Sequence, residues 1–155
     1  MAELNAKQSD DIFEFITFSA ATQTFCLEIT QIREIRRWTP VTALPHTPDD
    51  VLGVMNLRGA VIPIFDLAAR FGLGPTPPNE RNVVIVAAIN DTTIGLLVEA
   101  VSEILSVEMH AIQQTPDIKS DATRNAIIGM ISVSEAFVRV VNLEVVIDPP
   151  LGLSL

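Results

Sequence analysis

Cysteine, histidine, aromatic residues and positive charge are all scarce in this chain of 155 residues. The one cysteine, Cys26, excludes an intrachain disulfide and fits a reducing compartment, where a small buried hydrophobe in a strand is its expected role. The two histidines, His46 in "LPHTPDD" and His110 in "SVEMHAIQQTP", share no metal-ligand spacing, and no Cys-x-x-Cys occurs. Ten Lys and Arg stand against nineteen Asp and Glu, giving a net charge of −9 and a pI near 4.5. A field of that sign repels phosphate backbones and anionic lipid, which argues against nucleic-acid and membrane-surface binding. Aromatics are 5% of residues, mostly phenylalanines in strand patterns, so they are expected in the core rather than as a base-stacking platform. The basic cluster "REIRR" (33–37) beside Trp38 is the local exception, and a solvated strand edge explains it equally well.

No apolar run approaches the ~20 residues that span a bilayer, because Asp91 interrupts the best candidate, 82–98. The opening "MAELNAKQSDD" has charges and no apolar segment of the signal-peptide kind, so a cytoplasmic protein without membrane insertion is expected. Glycines do not fall in a phosphate-cradling spacing: "GLG" (72–74) runs into Pro75 and lacks the lysine of a P-loop. Asp49–Asp50 reads as the cap of a turn at "PDDVLGV" rather than a catalytic carboxylate pair. No enzyme activity, cofactor or metal is expected. Three alternatives remain open: a Cys26–His nucleophile, a small-molecule enzyme using a cleft around Arg58, and a nucleic-acid-binding pair of barrels.

What is present is apolar residue in abundance, 48% with glycine not counted, and a mean hydropathy of +0.39. The length fits one compact domain, and the apolar surplus suggests surface meant for partners. The dominant pattern has period two. "IFEFITF" (12–18), "QTFCLEI" (23–29), "AVIPIF" (60–65), "NVVIVAAI" (82–89), "TIGLLV" (93–98) and "FVRVV" (137–141) read as short strands between Gly, Pro, Asn and Asp turns. "DLAARFG" reads as a helix of barely two turns, N-capped by Asp66 and ended at Gly72. "ITQIREIRR" reads as a turn of helix passing into a strand.

The chain also repeats itself. Laying "VLGVMNLRGAVIPIFDL" (51–67) over "IIGMISVSEAFVRVVNL" (127–143), at a constant offset of 76, matches Gly53 with Gly129, Ala60 with Ala136, Asp66 with Asn142 and Leu67 with Leu143. An offset of 69 lays "FCLEITQIREI" (25–35) over "IGLLVEAVSEI" (94–104), matching Glu34 with Glu103 and Ile35 with Ile104. Two halves of one element order predict a mainly β protein of two small five-stranded barrels, side by side with short helices, because closure removes exposed strand edges. The expected division is a flexible tail at 1–11, a first barrel at 12–76, a second at 77–148 and a tail at 149–155. Strands are free to cross between the lobes, and "GLGPTPPNE" (72–80) is the expected boundary. A groove between lobes is the expected place of binding.

"GVMNLRGAVIPIFDLAARFGL", with the upstream "EITQIREIRR", the lead-in "ALPHTPDDVLGV" and "NVVIVAAINDTTIGLLVEAVSEIL", resembles the CheW family over about Ile12 to Ile147. The resemblance implies a CheW-like fold of two SH3-like barrels and a non-catalytic adaptor. Such an adaptor couples the cytoplasmic signalling tips of chemoreceptors to the regulatory domain of the kinase CheA, in rings that include other CheW-like domains, at arrays beneath the inner membrane. The output, flagella or pili or another, stays open.

Carried over by position, the resemblance puts Ile32, Glu34, Arg58, Val83 and Ile104 at or near a receptor-binding groove, with Asn56 and Gly59 shaping a turn. Arg58, on a strand end before Gly59, has two readings: an anchored cation that orients a partner carbonyl or carboxylate and pairs with Glu34, or a plain exposed arginine. Glu34 reads equally as a solvated edge carboxylate, and Ile32, Val83 and Ile104 equally as core. Many relatives carry a basic residue after "DL" where this chain has Ala68, with its arginine at Arg70 instead. That departure and the short apolar end "PPLGLSL" weaken any kinase or ring contact drawn from those positions.

Overall fold

A computed structural model describes residues 12–114 and 126–147; the expected tails, 1–11 and 149–155, lie outside them. Among the described residues eleven strands carry the fold. Strands β1 (Ile12–Ala20), β2 (Gln23–Glu28), β3 (Ile32–Arg37), β4 (Val51–Leu57) and β5 (Ala60–Asp66) come from the first half. Strands β6 (Val83–Ile89), β7 (Thr92–Val98), β8 (Ala100–Glu108), β9 (Ile112–Gln113), β10 (Ile127–Val133) and β11 (Ala136–Val141) come from the second. Two short helices, α1 (Leu67–Arg70) and α2 (Leu143–Ile147), follow the matched hairpins β4–β5 and β10–β11. Asp66 caps α1 as its sequence position suggests, its Oδ1 accepting from Ala69 N.

The strands form a six-stranded sheet, β8-β1-β2-β11-β10-β9, and a five-stranded one, β3-β6-β7-β5-β4. Under the sequence repeat β1 corresponds to β6, β2 to β7, β3 to β8, β4 to β10 and β5 to β11, so both sheets have one order. Each takes its first two repeat strands from one half and the other three from the opposite half, so strands cross between the lobes. The stretch 72–80 joins β5 to β6 inside one sheet. The chain changes sheet elsewhere, through the 3-10 turn Ile29–Gln31 and at Glu99. The halves meet at two matched parallel pairs, β2–β11 and β5–β7, and at two matched antiparallel pairs, β1–β8 and β3–β6.

Both sheets also curl. Beyond β3 the chain returns to pair Thr42 with Val54 on β4, and beyond β8 it returns as β9 to pair Gln113 with Met130 on β10. Val54 and Met130 are repeat partners. The glycines before them, Gly53 and Gly129, are where this returning chain passes. A Cβ at Gly53 would collide with the Thr42 carbonyl, and one at Gly129 would stand 2.6 Å from the Gln113 carbonyl oxygen.

Three apolar clusters result. Met55, Ile62, Ile64 and Val84 fill one lobe, and their repeat partners Ile131, Val138, Val140 and Phe15 fill the other. The third and largest lies between the sheets and is fed by both halves, with Phe18, Phe25, Leu27, Phe65, Ile85, Ile94 and Leu96 almost fully buried. One break in the repeat is a part-buried ion pair. Arg70 donates to Asp50 Oδ2 at 2.9 Å and lies over the Phe65 ring, whereas the matched positions hold Ala126 and Val146.

Gly53→Ala and Gly129→Ala should each destabilise the chain by about 2–3 kcal/mol or more, because the obstacle is backbone that cannot step aside. Gly59→Ala, at an exposed turn with nothing within 4 Å of the added methyl, should cost only about 1 kcal/mol from its positive φ. Urea denaturation midpoints of the three variants check the order.

Candidate functional site

Hairpin β4–β5 closes through two residues, Arg58 and Gly59, both at positive φ (52° and 88°). Two consecutive left-handed residues match the twist of a tight hairpin, and glycine supplies one of them without strain. Asn56 holds the turn: its Oδ1 accepts from Gly59 N at 2.8 Å. The turn thrusts Arg58 out of the sheet, with 72% of its side chain exposed.

Arg58 is nonetheless anchored. Its Nη1 donates to Glu34 Oε2 at 2.5 Å, and Arg36 Nη1 donates to Glu34 Oε1 at 3.2 Å. Glu34 lies on β3 and Arg58 beyond β4, the two ends of the five-stranded order. The ion pair therefore ties one edge of the curled sheet to the other. Residues 34 and 36 share a strand face because side chains alternate with period two, which is how Arg36 joins the pair. The hydrogen bond from Arg58 holds the Glu34 carboxyl below the ordinary glutamate range, opposed by some desolvation and helped by Arg36. The same bond raises the Arg58 pKa.

The other expected site residues are placed less closely together. Ile32 and Val83 are half-buried against the central core, at opposite ends of the β3–β6 ladder, where Ile32 faces Ala87 and Arg37 faces Val83. Ile104 stands on the other sheet, in β8 opposite Ile16, and is 59% exposed. Its repeat partner Ile35 is 40% exposed, so two matched edge strands each present an isoleucine to solvent. Arg36 was not singled out in the sequence as part of the site, though its period-two spacing from Glu34 is a signal for it.

Cys26 sits among Phe15, Ile131, Val138 and Val140, and burial pushes its thiol up to about 12. A thiol so held is not a nucleophile near neutral pH. Among the described residues no group of three or more His, Cys, Asp or Glu is placed to hold a metal ion, and no helix is long and apolar enough to cross a membrane.

This arrangement of interleaved curled sheets has close parallels. Residues 14–149 match the family model described as the CheW-like domain. The chain belongs to the CheW family. It is 49% identical over 131 residues to a probable chemotaxis protein CheW of Rhizobium etli, covering 84% of each protein, and 47% identical over 131 residues to the chemotaxis protein CheW of Rhizobium meliloti, again with 84% of each covered. The crystal structure of the scaffolding protein TtCheW from Thermoanaerobacter tengcongensis superposes with a TM-score of 0.78 at 27% identity, over 84% of both chains. As a CheW protein the chain is a chemotaxis scaffold. Ala68, the residue after "DL", is 1% exposed and packs in the central core, so it offers no surface to a partner.

A depressed carboxylate pKa stabilises the fold at pH values above the ordinary glutamate range, and that contribution fades as pH falls through the lower native value. The Glu34 carboxyl should thus titrate below the ordinary glutamate range in carbon-detected NMR. In Arg58→Ala its midpoint should rise towards the ordinary glutamate value, and an unchanged midpoint would show that the pair does not form.

Proposed function

We propose that the chain is a non-catalytic adaptor that couples chemoreceptor cytoplasmic tips to the regulatory domain of the kinase CheA, at cytoplasmic arrays. The observation that carries this reading is the Arg36–Glu34–Arg58 network in a CheW-family chain. One guanidinium nitrogen of Arg58 is spent on Glu34, and the rest of an exposed fork remains for a partner carbonyl or carboxylate. Because the turn and the ion pair fix its position beforehand, little side-chain entropy is lost on binding. Ile104, exposed on β8, supplies apolar contact from the other sheet, and Ile32 and Val83 back the surface from the central core. Glu34 then acts chiefly by holding Arg58.

The kinase regulatory domain and other CheW-like domains would dock at the lobe ends. Exposed apolar residues that would serve them are the repeat-related Val61 (72% exposed) and Phe137 (47% exposed), on matched strands β5 and β11, one in each sheet. A chain with one such residue on each sheet suits a ring, which needs two faces per member. The mechanism is geometric: receptor and kinase held in fixed relation let a receptor shift bias the kinase equilibrium.

Retention of the purified chain on an immobilised receptor signalling-tip fragment, and separately on a CheA regulatory domain, tests the reading. Wild type should bind both. Arg58→Ala should weaken the receptor arm about tenfold or more, as expected for a central arginine, and leave the kinase arm within about twofold. Failure of wild type to bind either partner, or equal loss in both arms, would overturn it.

A further inference from the structure

Strand β8 carries one residue more than its partner can match. Ile104 faces Ile16 on β1 and Val101 faces Phe18, so three steps on β8 span two on β1, with Ser102 and Glu103 together opposite Thr17. A bulge of this kind resets the faces of a strand. Strict alternation would send Val101 and Ile104 to opposite sides, yet both follow the face shared by Ile16 and Phe18. Val101 packs on the central core, and Ile104 is 59% exposed.

One side chain pins this bulge. Thr17 is 3% exposed, and its hydroxyl bonds in both directions to a single residue of β8. It donates to Glu103 O at 3.1 Å and accepts from Glu103 N at 3.1 Å. Glu103 falls outside the β1–β8 register, so the hydroxyl serves backbone groups that have no facing residue of their own. A hydroxyl donates and accepts at once, which leaves no unpaired polar atom to penalise its burial.

The repeat shows that the bulge itself does not require a hydroxyl. On β3, Ile32 faces Ala87 and Glu34 faces Val86, so Arg33 is the extra residue at the matched place. Val86, the repeat partner of Thr17, is fully buried and apolar. That lobe holds Glu34 by its carboxylate, through Arg58 and Arg36. The corresponding positions on the other lobe are Ser134 and Leu105, and Glu103 makes no ion pair with any described residue. Each half thus fixes its bulge glutamate once, by the side chain in one sheet and by the backbone in the other. Strand β8 also ends its sheet, with β1 as its one neighbour among the described strands. Play at Glu103 would therefore pass directly to the next residue, Ile104.

We propose that Thr17 is a positioning residue for receptor binding: its hydroxyl locks the β8 bulge at Glu103, and the locked bulge holds Ile104 where it meets the receptor tip. The inference rests on the reading of Ile104 as a receptor contact.

Thr17→Val and Thr17→Ala remove the hydroxyl, and Thr17→Ser keeps it. In the full chain, removal should speed amide hydrogen exchange at Glu103 about tenfold or more. It should weaken binding to a receptor signalling-tip fragment about three- to tenfold and leave binding to a CheA regulatory domain within about twofold. Thr17→Ser should restore the exchange rate and the tip affinity. On an Ile104→Ala background Thr17→Val should cost the tip arm nothing further, because the group it positions is gone. Wild-type binding to the tip and its loss in Ile104→Ala test the underlying reading, and failure of either removes that reading and this inference together. If both hold, the positioning role alone is overturned by wild-type tip binding in Thr17→Val, by an equal loss in both arms, or by a full further loss on the Ile104→Ala background. Unfolding of both variants that lack the hydroxyl would assign Thr17 to folding and overturn it as well.

Discussion

Phe18, Phe25 and Leu27 of the first half meet Ile85, Ile94 and Leu96 of the second in one apolar body between the sheets, and everything else in the molecule leans on that contact. Each lobe has its own small core, built from four repeat-matched positions, but the central cluster is larger than either and draws on both sheets. At ~1.5–3 kcal/mol for each large side chain fully buried, it outweighs the lobe cores as a source of stability. Strand exchange reinforces it. Since β1 and β2 pair with β8 and β11, while β6 and β7 pair with β3 and β5, neither curled sheet can form without chain from both halves. The lobes are thus locked in one mutual orientation, which is what a scaffold must supply.

On that rigid body the surface chemistry is sparse and local. The ion pair from Glu34 to Arg58 joins the two edges of the five-stranded sheet and at the same time aims an exposed guanidinium outward. An exposed pair of this kind contributes little stability and is weakened by salt. Its value lies in position: it converts a long, mobile side chain into a placed one. The six-stranded sheet has the matched carboxylate, Glu103, but its turn carries Ser134 where Arg58 stands, so the two lobes share a frame and differ in what they present.

Much of the frame is legible in the residues. Period two gives β1, β2, β5, β6, β7 and β11 nearly to the residue, and the Asp66 cap gives the first helix. The matched Gly53 and Gly129 signal a shared structural demand, although that demand, a returning strand pressed against the backbone, is visible only in space. Strand β8 escapes the pattern because most of its residues are exposed, leaving no clean alternation. Strand exchange escapes it for a deeper reason: periodicity tells which face of a strand is buried and not which distant strand lies beside it. Arg58 stands out in sequence by its isolation, and Glu34 by its repeat partner, but the sharing of one carboxylate by Arg36 and Arg58 depends on how the sheet curls. The Asp50–Arg70 pair is hidden for the same reason, its members twenty residues apart on elements that meet only in the fold.

The claim that both halves form one cooperative body through their common core is open to native-state hydrogen exchange at increasing urea. Backbone amides of Ile64 and Leu96 in one sheet, and of Cys26 and Val138 in the other, should converge on a single free energy of opening equal to that of global unfolding. If the amides of one sheet instead exchange through an opening lower by more than about 2 kcal/mol while the other stays protected, the sheets unfold as separate units and the account fails.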